Sequence, residues 1–132
     1  VPELVRVTSF NRAALISGGV WALWHFPLLF FADYNLPGAP AWYAALMFTI
    51  LVVGISFAFA WLRLKSGSLW PAAVLHASHN IFVQVIFTPL TVQTETTPYI
   101  IDEFGVGLAL AAIVITAVLW QRGKGLSVNP AV

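Results

Sequence analysis

The residues best suited to chemistry are the protein's three histidines and one asparagine, all set in apolar runs. His25 lies within Trp21-Ala22-Leu23-Trp24-His25-Phe26-Pro27-Leu28, and His76 opens the run His76-Ala77-Ser78-His79-Asn80. Imidazole titrates near neutrality and can take up, give or relay a proton. An asparagine amide supplies a fixed donor where water is scarce, which suits a developing oxyanion. An ionisable side chain at membrane depth costs roughly 3 kcal/mol on insertion scales, so such groups pair, serve a function, or both. Two of them on separate helices propose a buried polar site.

Spacing sharpens this reading. Residues four apart on a helix share a face, and His76, Asn80, Gln84 and Thr88 follow that spacing, with His79 beside them. In lipid such a stripe must face protein or a water-filled pocket. Gly18, Trp21 and His25 form a narrow arc on an earlier helix, where Gly18 permits close helix approach. Pro27 cannot donate to the Leu23 carbonyl, so a kink is expected near His25. Trp21 and Trp24 lie too deep for an interfacial belt and are expected to wall the pocket. His79 alone reads as a packing or supporting residue. Gly54-Ile55-Ser56 faintly resembles the serine motif of rhomboid proteases but lacks its following glycine.

These residues need helices to hold them in a bilayer. The 132-residue chain is 60% hydrophobic and 8% charged, too few charges to clothe a water-soluble surface. Its formal net charge of +1 gives no reason to expect nucleic-acid binding, and zero cysteines exclude disulfides, thiolate nucleophiles and thiolate metal sites. Apolar runs predict four spans over roughly 13–31, 41–62, 69–90 and 104–120. The last is short, and an earlier start is expected, with Asp102 and Glu103 in a first turn complementing the helix dipole. The fold class is therefore all-α, a polytopic membrane protein with residues 1–132 forming one transmembrane domain.

Charge sets the orientation. Arg6 and Arg12 precede the first span, Arg63 and Lys65 join the second to the third, and Arg122 and Lys124 follow the fourth. The other loops carry Asp33, Glu95, Asp102 and Glu103. Basic residues on one side make that side cytoplasmic, with both chain ends there. Trp61, Trp70 and Trp120 are expected at cytoplasmic helix ends, and Tyr34, Trp42 and Tyr99 at the far interface. The tail after Gly123 is expected to fray.

At the two histidine runs the chain resembles the CPBP family, the Abi or type II CAAX prenyl endopeptidase-like intramembrane proteases. That family carries Glu-Glu-x-x-x-Arg, then an aromatic residue ahead of a histidine, then His-x-x-x-Asn, on separate helices. Trp21-x-x-x-His25 resembles the second motif and His76-x-x-x-Asn80 the third, with Ser68-Leu69-Trp70-Pro71 leading in. The first motif is absent: Glu3 has no neighbouring acid and Arg6 is off the spacing. The chain thus reads as a fragment beginning after the catalytic carboxylates, probed alone expected to be inactive.

The resemblance implies an intramembrane endopeptidase, multi-pass in a cell membrane and of prokaryotic type, acting on a peptide or protein substrate among lipid. A motif glutamate would activate water with help from His25, while His76 and Asn80 would hold that water or stabilise the oxyanion. The catalytic candidates are His25, His76 and Asn80. No cofactor is favoured; two histidines plus a glutamate would also satisfy a catalytic zinc with an open position. Two other classes compete. One is a non-catalytic relative, an immunity or assembly factor that keeps the pocket. The other is a haem protein with axial imidazoles, against which Asn80 would crowd a porphyrin.

Overall fold

The computed structural model describes residues 1–32 and 34–126, so Asp33 and most of the tail beyond Gly123 lie outside the described residues. Every regular element among them is helical: α1 (Pro2–Val7), α2 (Phe10–Phe31), α3 (Ala41–Ser66), α4 (Trp70–Asn80), a π-helical segment (Ile81–Phe87), α5 (Thr88–Leu90), α6 (Thr97–Ile100) and α7 (Val106–Arg122). Local chemistry sets the starts. The Ser9 hydroxyl caps α2 by accepting from the Arg12 amide. Pro71 sits in the first turn of α4, where its missing N–H costs nothing.

Phe10–Phe31, Ala41–Ser66 and the continuous run Trp70–Leu90 are each long and apolar enough to cross a membrane, and Val106–Arg122 is a shorter apolar helix. They fall on the four expected apolar runs, three of them with the length of a span. Helix α2 continues through Pro27. One local expectation is corrected. Helix α7 begins at Val106, so Asp102 and Glu103 form no first turn; they lie in a buried turn ahead of it.

Helix α3 is the centre, packing against α2, α4 and α7. Its contacts rely on small residues. A methyl group on Gly18 would come within 2.6 Å of the Val53 backbone, and one on Gly54 within 2.7 Å of the Ala112 side chain. Gly18 therefore seats α2 on α3, not on the histidine-bearing third span. Gly54 serves the α3–α7 seam, and Ser56 is buried with its hydroxyl donating to the Val52 carbonyl. That hydroxyl is a helix-internal group, which removes the rhomboid-like reading.

Two apolar clusters mark the ends of the bundle. Phe10, Ala14, Phe57 and Ala60 gather with Val1, Trp61, Leu64, Leu119 and Leu126 at one end. Ala22, Leu29, Ala44, Ala45, Phe48, Val52 and Phe104 form the other, with Trp21, Phe26 and Leu36 against it. The candidate site lies beside this second cluster.

Candidate active site

His25 stands on α2 with its Nδ1 3.0 Å from the Trp21 carbonyl oxygen. A carbonyl only accepts, so Nδ1 carries the proton there, and in the neutral ring Nε2 is left with its lone pair. The backbone partner is Trp21, not the Leu23 carbonyl that Pro27 leaves free. The ring packs 5.1 Å from Phe48, centroid to centroid, and 6.4 Å from Tyr34.

Trp21 joins the two motif histidines. Its indole lies 6.2 Å from the His25 ring and 5.2 Å from the His76 ring. Phe59 of α3 completes the wall, stacked at 5.7 Å on His76 and at 5.6 Å from Trp21. Helices α2, α3 and α4 thus bring His25 and His76 onto one aromatic surface. His76 is exposed and His25 half-buried. Trp24 does not share this role. It is 78% exposed and borders an apolar groove with Leu23, Pro27 and Leu28 on the outer face of α2.

Asn80 is the last residue of α4, where the α ladder gives way to the π segment. The expected single stripe does not survive this change. Bonding from i to i+5 adds a residue to the turn, so residues four apart no longer superpose. Beyond Asn80 the polar side chains find partners outside the third span. Gln84 reaches the Tyr34 hydroxyl at 3.5 Å, and the Thr88 hydroxyl donates to the Asp102 carboxylate. His79, five residues before Gln84, donates from Nε2 to Glu103 at 2.8 Å.

Glu103 was not expected in this neighbourhood. It is 6% exposed, and its partner His79 is half-buried. Tyr34 lies nearby with its ring edge-on to Phe104. Partial burial raises the Tyr34 phenol above its ordinary value, Glu103 and Asp102 add to this, and the Gln84 hydrogen bond opposes it. Among the described residues no three histidine or carboxylate side chains converge on a metal-sized space.

The family model for type II CAAX prenyl endopeptidase Rce1-like proteins matches residues 1–82, more than half of the chain. The chain belongs to this family. The Rce1-like match takes in α1 to α4 and thus His25, His76 and Asn80, whereas Asp102 and Glu103 lie beyond it. Membership makes this a membrane protein of a CAAX-protease-type endopeptidase family, whose substrates are peptides. No curated protein and no solved structure matches the chain.

Proposed function

We propose that His25, His76 and Asn80 form the imidazole and amide part of an intramembrane endopeptidase site. The observation that carries this reading is the convergence of both motif histidines on Trp21. With its Nδ1 proton committed to a backbone carbonyl, His25 presents Nε2 as a proton acceptor toward a water. His76 and the Asn80 amide, one turn apart, hold that water or donate to the oxyanion of the tetrahedral intermediate. The carboxylate that activates the water is assigned to the Glu-Glu-x-x-x-Arg motif, which these 132 residues do not contain. Of the four carboxylates within the described residues, Glu3 pairs with Arg6, Asp102 accepts from Thr88, Glu103 accepts from His79, and Glu95 is exposed in the loop between the third and fourth apolar runs. A bond-cleaving base must reach the water by hydrogen bond or through one more water, and none of these is bonded to His25.

The test uses the full-length protein in liposomes with two probes, a farnesylated peptide ending in a CAAX sequence and an unprenylated transmembrane peptide. Cleavage of either, lost in His25→Ala and His76→Ala and reduced about 100-fold or more in Asn80→Ala, supports the assignment. His79→Ala retains more activity than either. An active His76→Ala protein removes the mechanism. A correctly folded wild type that cleaves neither probe favours a non-catalytic relative.

A further inference from the structure

Consecutive carboxylates grip both ends of the π segment. Glu103 holds His79, two residues before its start at Ile81, and Asp102 holds Thr88, the residue after its end at Phe87. A π run of this length is rare, and an arrangement of that kind persists only where its surroundings hold it. The turn that supplies the grip is itself fixed. Asp102 has a left-handed backbone with φ of 65°, and its second carboxylate oxygen accepts the Glu103 amide. In an extended run successive side chains point apart; here the reversal at Asp102 lets both reach one helix. Phe104 is buried against Phe48 and Tyr34, and a side chain on Gly105 would collide with the Ile100 and Ile101 backbone.

We infer that Asp102 and Glu103 are positioning residues for the endopeptidase reaction, clamping the π segment so that His76 and Asn80 keep their aim. The inference rests on the function proposed above. Neither carboxylate needs to touch substrate. Asn80 is the last residue of the α ladder and its neighbour His79 is the residue that Glu103 holds, so the grip fixes the turn of α4 that carries Asn80. Releasing His79 frees that turn and allows the π run to revert towards i to i+4 bonding, which swings everything after Asn80 around the helix axis. Small misplacements of a positioning group cost turnover far more than substrate binding.

Hydrogen exchange across residues 81–87 and steady-state cleavage of the farnesylated CAAX probe test this on the full-length protein in liposomes. Glu103→Ala should raise exchange in that segment and lower kcat, each by about tenfold, as expected for one lost hydrogen bond. KM should stay within about twofold, since a transition-state interaction and not uniform binding is lost. Glu103→Gln, which keeps an oxygen for His79, should restore both. The pair Glu103→Ala and His79→Ala should be no worse together than singly, because they remove one contact. Thr88→Val, nearly isosteric, should open the far end of the segment, and Asp102→Gly should do the same while relieving the left-handed residue. Unchanged exchange in Glu103→Ala and Thr88→Val overturns the clamp. Raised exchange with unchanged kcat overturns the positioning role. If Glu103→Ala fails to fold, Thr88→Val decides both points. A wild type that cleaves nothing counts against the endopeptidase reading and takes the positioning role with it, while the exchange measurements still report the clamp.

Discussion

At the scale of single residues, the indole of Trp21 is the feature on which both motif histidines depend. It touches the His25 and His76 rings and is backed by Phe59. Trp21→Ala removes the surface that orients both imidazoles, and a roughly 100-fold fall in kcat is expected, the scale of loss for a displaced reacting group. Trp21→Phe keeps an aromatic face and should recover most of it in the same liposome assay. Ser56→Ala, by contrast, should leave hydrolysis unchanged, because its hydroxyl is spent on the Val52 carbonyl. Tyr34 offers a spectroscopic check. Its folded phenol is raised, chiefly by burial and then by Glu103 and Asp102. The raised group contributes stability that is full below the unfolded tyrosine value of about 10 and is lost as pH climbs through the folded value. Phenolate absorbance should therefore include a late component that Tyr34→Phe removes; an unaltered titration in that variant would count against the assignment. The histidines were legible in the sequence because polar groups in apolar runs stand out. Glu103 was not. Next to an apolar helix it looked like an ordinary helix-start acid, and only the left-handed backbone at Asp102 turns it inward.

At the scale of elements, four apolar runs became four helices with their ends within a few residues of expectation. Hydropathy reports burial in lipid and so finds such runs well. It does not report ladder type. The i, i+4 stripe from His76 to Thr88 assumed an α-helix throughout, and the π segment redirects its second half towards Tyr34 and Asp102. Nothing in Ile81-Phe82-Val83-Gln84-Val85-Ile86-Phe87 announces this, since the turn that holds it comes from residues far along the chain. The packing of α3 was partly legible: small residues marked the seams, but not which helix each would meet. Gly54 abuts Ala112 with no room for a side chain. Gly54→Leu should destabilise the bundle by about 1–3 kcal/mol through overpacking, read as a lower unfolding temperature in detergent. A variant as stable as the wild type would show that α3 and α7 do not meet as described.

At the scale of the whole molecule, the antiparallel helices decide which side the chemistry faces. The start of α2, the end of α3 and the end of α7 meet in the cluster around Phe10, Phe57 and Leu119. Arg12, Arg63, Lys65 and Arg122 belong to those same helix ends, so the fold gathers the basic residues where the sequence placed them. Helix α7 spans about 25 Å at the usual helical rise, short of a core about 30 Å thick. The turn Asp102–Gly105 makes up depth ahead of it, and irregular backbone is tolerated there because all four residues are buried in protein. The bundle is thus expected to sit with the basic end cytoplasmic. Reporter fusions at Gly38 and Thr96 should appear on the far side and one at Ser66 in the cytoplasm. The clamp turn and Tyr34 would then lie towards the far side, and His76, six residues into α4, towards the cytoplasm. A substrate entering from the far side would meet the π segment before it met His76. The opposite labels at all three positions would invert that path, and two sites on the wrong side would mean that one of the four runs does not cross.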